Sequence, residues 1–91
     1  MKDKIEIDVT PLKEVVEEIM KRYKPKKVII WLSDPLGYFS TIEIEEPEKR
    51  LIDVDLEKKI YDLWKQIHPA LIPEILAKLL EERGVEVDYC I

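Results

Sequence analysis

Two glycines, one cysteine, one histidine, one glutamine and no asparagine leave several kinds of chemistry without material in this 91-residue chain. The glycines are Gly37, inside a turn signal, and Gly84, where a helix should end, so no glycine-rich loop exists to cradle a nucleotide phosphate. A single histidine, His68, cannot build a multi-histidine metal site or a histidine dyad within one chain. It reads as an interhelical loop residue bonding nearby backbone. Thr10, Ser33, Ser40 and Thr41 are the only hydroxyl nucleophiles besides the tyrosines, and none lies in a G-x-S-x-G elbow. One cysteine cannot form an internal disulfide, so stability does not depend on an oxidising compartment. Cys90 shares its alternation face with Glu86 and Asp88 and reads as an inert strand thiol. No apolar run approaches the ~20 residues needed to span a bilayer. The opening MKDKIEIDV has no continuous apolar stretch of the secretory kind. The expectation is a cytoplasmic protein with no membrane partner.

What is present is 46% apolar and 38% charged, with a formal net charge of −5. The apolar share supports one core, and 91 residues are too few for two, so a single domain over residues 1–91 is expected. Abundant Lys and Glu with scarce thermolabile residues is a hyperthermophile-like composition, a designed chain being the rival reading. Neither origin speaks to function. The negative charge argues against nucleic acid as a general partner, because phosphate contacts need clustered Lys and Arg.

The most informative stretch is KKVIIWLSDPLGYFSTIEIEE, residues 26–46. Val28–Leu32 is β-branched and aromatic, apolar in unbroken succession and too short for an independent helix. It reads as a strand buried on both faces. Asp34-Pro35-Leu36-Gly37 carries the preferences of a type I turn. Tyr38, Ser40, Ile42 and Ile44 then alternate with Phe39, Thr41, Glu43 and Glu45, the pattern of a strand with one wetter face.

The rest of the chain covers this hairpin. Ile5, Ile7 and Val9 alternate with Lys4, Glu6, Asp8 and Thr10, predicting a first strand over 4–10. Thr10-Pro11 predicts a helix start, and Pro25 its end. The βαβ order makes strands 4–10 and 27–33 parallel neighbours. Glu46-Pro47-Glu48-Lys49 is a second turn, and Arg50–Val54 a short edge strand. Asp53 or Asp55 can cap a helix whose buried stripe is Leu56, Ile60, Leu63, Trp64 and Ile67. His68-Pro69 breaks it, a last helix starts at Pro73, and Val85–Ile91 alternates as a closing strand. The class is α+β: a single mixed sheet of four to five strands with three helices, in the order β-α-β-β-β-α-α-β. That order contains the βαββαβ of the ferredoxin-like sandwich, and also the αβββαβ of restriction-endonuclease-like nucleases. Both are likenesses of element order alone, and fold order is a weak guide to function.

Three surfaces compete as candidate sites. Three short helices can cover one face of the sheet, leaving apolar surface on the other, and such a patch usually marks an interface. Trp31, Tyr38 and Phe39 would be its contact residues, no helix being assigned to cover them. The leading expectation is therefore a small non-enzymatic interaction or regulatory module acting as a homo-oligomer, most simply a dimer, with no cofactor and with a protein partner possible. The alternative is a magnesium- or manganese-dependent nuclease or phosphodiesterase using Glu43, Glu45 and Asp53. The nuclease-like E-x-K pattern is departed from, since Glu43-Ile44-Glu45 places an acid where the lysine belongs. A third reading is nucleic-acid contact through Lys21, Arg22, Lys24, Lys26 and Lys27, residues that a helix C-terminus also collects for dipole reasons.

Overall fold

The computed structural model describes residues 6–91. Helix α1 (Thr10–Arg22) carries an apolar stripe of Leu12, Val15, Val16 and Ile19, all buried. Its first turn departs from expectation. Thr10 is already helical, and the Asp8 carboxylate accepts the Thr10 backbone N–H at 3.0 Å. That bond holds Asp8 below the usual carboxylate range. Glu6–Val9 form no strand, while Lys4 and Ile5, where the predicted first strand begins, lie outside the described residues.

Strands β1 (Lys27–Ser33), β2 (Tyr38–Glu46), β3 (Lys49–Ile52) and β4 (Glu86–Cys90) form one mixed sheet, ordered β3-β2-β1-β4. The α+β class, the single mixed sheet and the three helices are as expected, and among the described residues the sheet has four strands, where four to five are expected. β1 pairs antiparallel with β2 and parallel with β4, so among the described residues the parallel neighbour of 27–33 is the closing strand. The connection at 34–37 is not the expected type I turn. The Asp34–Pro35 bond is cis, Gly37 sits at φ 70°, and its N–H donates to Ser33 O at 2.8 Å.

Asp53 settles the start of α2 (Val54–Asp62), its carboxylate accepting the N–H groups of Asp55 and Leu56. The helix then tightens into a 3-10 turn at Leu63–Lys65. This rotates Trp64 off the apolar stripe: it is 37% exposed, not core as the spacing predicts. Helix α3 (Ile72–Glu82) has Pro73 in its first turn and ends on Gly84 at φ 81°, with Val85 N–H returning to Leu80 O.

The core is one cluster. Leu12, Ile19, Leu56, Ile60, Ile72, Leu76 and Leu80 from the helices meet Val28, Ile30, Phe39, Ile42 and Ile44 from the sheet. The contributing strand residues all lie on one face of the sheet, Phe39 joining Ile42 and Ile44 because the β1–β2 register shifts between Trp31 and Leu32, so all three helices lie on the same face. Phe39 is 1% exposed, which corrects its reading as an interface residue. Its ring packs edge-on to Tyr61 of α2, a partner that the order of elements alone does not assign.

Candidate interaction surface

Strand residues of the opposite parity form a sheet face that no helix among the described residues covers. Register lines them up in rows across β4-β1-β2-β3. One row is Glu86, Lys27, Glu45, Arg50, and the next is Asp88, Ile29, Glu43, Ile52. The expected apolar surface is therefore a mixed one. Lys27 Nζ lies 3.0 Å from Asp88 and 3.8 Å from Glu86; Arg50 lies 3.4 Å from Glu45 and 3.6 Å from Glu43. The hydrogen bond to Asp88, with the nearby charges of Asp88, Glu86 and Glu45, pushes the Lys27 ammonium above its usual pKa. Within this ladder sit Ile29, half-buried Trp31 and half-exposed Ile52. Trp31 Nε1 donates to Glu43 Oε1 at 3.1 Å, so the one polar atom of the indole is already satisfied.

Of the residues expected at an interface, only Trp31 stands on this face. Tyr38, paired with Ser33 at the start of β2, packs against the segment that follows α2, its ring edge-to-face with Trp64 at 6.0 Å and with His68 at 5.4 Å. Tyr61 continues the cluster, 5.3 Å from Trp64, and burial raises its phenol pKa. His68 Nδ1 accepts the Ala70 N–H, as the loop reading expects. Sequence spacing misses this aromatic cluster because the 3-10 turn that gathers it has no periodic signal.

The acidic trio is not brought together. Glu43 and Glu45 face the open side and pair with Arg50. Asp53 belongs to the helix-covered side, where it caps α2 and accepts from Arg22 at 3.0 Å and Tyr23 at 2.5 Å. Burial works to raise the Asp53 pKa, but the bonds from Tyr23, the Leu56 N–H and Arg22 outweigh it and hold the carboxyl low. No group of three potential metal ligands converges among the described residues.

The basic cluster is likewise divided. Arg22 is engaged by Glu18, Asp53 and Asp55, and Lys27 by Glu86 and Asp88 across the sheet. Lys21, Lys24 and Lys26 are exposed around the end of α1.

A shallow groove of about 630 Å³ runs between α1 and α2, with Pro11, Val15 and Leu63 among Glu14, Glu18 and Lys59. It gathers no reactive constellation. No helix of the described residues is long and apolar enough to cross a membrane. No family model, no curated protein and no solved structure matches the chain.

Proposed function

We propose that this chain is an interaction module, and that two copies associate through the open faces of their sheets. The observation that carries the reading is the charge order of one row: Glu86 negative, Lys27 positive, Glu45 negative, Arg50 positive. A two-fold axis running along the strands lays one sheet on its copy with strand order reversed. β4 then lies over β3 of the second copy, and β1 over β2. Every charge in the row meets its opposite: Glu86 meets Arg50, and Lys27 meets Glu45. In the next row Ile29 and Ile52 meet acids already paired within their own chain, so no like charges oppose. Aligned sheets pack in roughly this way, about 10 Å apart.

Size limits the strength. Four strands at ~4.8 Å spacing and about 20 Å of length give a footprint of roughly 400 Å² per copy, at the low end for specific interfaces. Desolvating paired charges offsets much of the Coulomb gain. The association is therefore reversible and weakened by salt.

Light scattering behind a sizing column, over a concentration series at low and high salt, tests it with charge variants. Lys27→Glu should remove the association, because residue 27 then faces Glu45 of the second copy with the same sign. Adding Glu45→Lys should restore it, since the reversed row is again complementary to itself. Residues 27 and 45 are also cross-strand neighbours within one chain, so circular dichroism and a urea midpoint on each variant separate a change in association from a change in the fold. Wild-type association indifferent to both variants would overturn the proposal, as would a monomer at every concentration and at low salt.

A further inference from the structure

We infer that the outer edge of β4 is a second, independent self-association site, joining two copies into one continuous eight-stranded sheet. Edges of a sheet invite strand addition unless blocked, and the chain blocks its other edge twice. β3 is four residues long, carries Lys49 and Arg50, and follows Pro47. Where β3 stops short, the exposed edge of β2 is closed by the helical side. Phe39 N–H donates to Pro69 O at 3.2 Å, Tyr61 donates its hydroxyl to Ser40 O, and Thr41 bonds Glu57. β4 has none of these devices: no proline, lysine, arginine or bulge, and among the described residues nothing pairs with its outer side. Its acids do not defend it, because Glu86 and Asp88 are held by Lys27 on the neighbouring strand. Its apolar side chains are under-covered: Tyr89 is 51% exposed and Ile91 78%.

Charge selects the register. In a two-fold antiparallel pairing, one residue sits opposite its own copy. Centring on Asp88 or Glu86 sets a carboxylate against itself, and centring on Val87 sets Glu86 against Asp88. Centring on Tyr89 or on Cys90 removes every like-charge pair, and Tyr89 is the choice that keeps more of β4 paired. Tyr89 then faces Tyr89 and Val87 faces Ile91 on the helix side, while Asp88 faces Cys90 on the open side. Such cross-strand aromatic and aliphatic pairs are the favourable ones in sheets. The two open faces become one surface of twice the area. The occupant is thus a second copy, and the competing one is stretch 4–9 of the same chain.

The register has a chemical readout in the full chain. Asp88→Cys should give, on air oxidation, a covalent dimer in which mass spectrometry finds residue 88 joined to Cys90 of the other copy. The wild type, whose Cys90 faces Asp88, should give none. Tyr89→Lys should cut the assembly back to no more than the face-to-face dimer without unfolding it, as checked by circular dichroism. A chain in which Arg50→Glu has removed the face-to-face contact, residue 50 then facing Glu86 of the second copy with the same sign, should remain dimeric through β4 because Lys27 still holds Glu86 and Asp88, so the two associations fail separately. Where both hold, the two axes do not meet, one lying at mid-sheet and the other at the β4 edge, so the concentrated wild type grows beyond the dimer as an open, staggered assembly. The inference is overturned if Asp88→Cys yields no 88–90 link between copies and Tyr89→Lys leaves the mass unchanged. It is equally overturned if β4 amides are protected from hydrogen exchange in a monomer and lose that protection when residues 1–8 are deleted, which would assign the edge to the chain's own stretch.

Discussion

The Trp31 indole donates to the Glu43 carboxylate at 3.1 Å across the β1–β2 ladder, on the sheet face without helices. Trp31 is paired with Thr41 and Glu43 with Ile29, so the bond is diagonal, spanning successive rows of the open face. Glu43→Ala should lower stability by about 0.5–1.5 kcal/mol, the usual size of one such bond where water can replace it. The Trp31 contribution to the fluorescence spectrum should shift red as the indole N–H turns to solvent. Chemical denaturation read at both tryptophans measures the first; Trp64→Phe isolates the second.

Phe39 and Trp64 lie on the same side of the sheet at very different depths. Phe39→Ala empties a site that is 1% exposed and should cost about 3–5 kcal/mol. Trp64→Ala removes a ring that already spends over a third of its surface in water, and should cost about half as much or less. Urea midpoints with unchanged m-values decide this. A near-neutral Phe39→Ala would contradict its place in the core.

Asp53 joins the start of α2 to the end of α1 by capping one and bonding Arg22 and Tyr23 of the other. Asp53→Ala should cost about 1–2 kcal/mol, and Asp53→Asn less, because an amide oxygen still caps. The folded-state pKa is depressed, so the stabilisation is fully present above the unfolded value of ~3.9 and is lost as pH falls through the folded one. Thermal midpoints between pH 5 and 2 should therefore fall more steeply for the wild type than for Asp53→Asn.

Gly84 isolates a backbone effect. A Cβ there would meet nothing within 4 Å, yet φ is 81°. Gly84→Ala should destabilise by about 1–2 kcal/mol through the left-handed backbone alone. Equilibrium denaturation measures it, and a neutral substitution would mean that the turn relaxes to another conformation.

Much of the fold is legible in the residues, for local reasons. Val28–Leu32 is a strand as its β-branched run predicts, although only Val28, Ile29 and Ile30 are buried and the face of Trp31 has no helix over it; Gly84 marks a helix end, and the alternation of 86–90 matches β4. The cap of α2 is narrowed to two aspartates by side-chain chemistry, and only the packing of α1 against α2 selects Asp53, because Arg22 and Tyr23 come from 30 residues away. Trp64 and Phe39 were misplaced for a related reason. A helical stripe presumes that the helix continues, and the 3-10 turn ends it. Strict alternation places Phe39 with Thr41 and Glu43, and the register shift between Trp31 and Leu32, which no period along the chain encodes, turns it to the helix side. The open face follows the same division. Its residues are set by alternation, but the order negative, positive, negative, positive exists only once four distant strands fall into register. Sequence alone therefore determined the elements and their apolar sides. Tertiary structure decided which side was left open and which charges met there, because both depend on contacts between residues far apart in the chain.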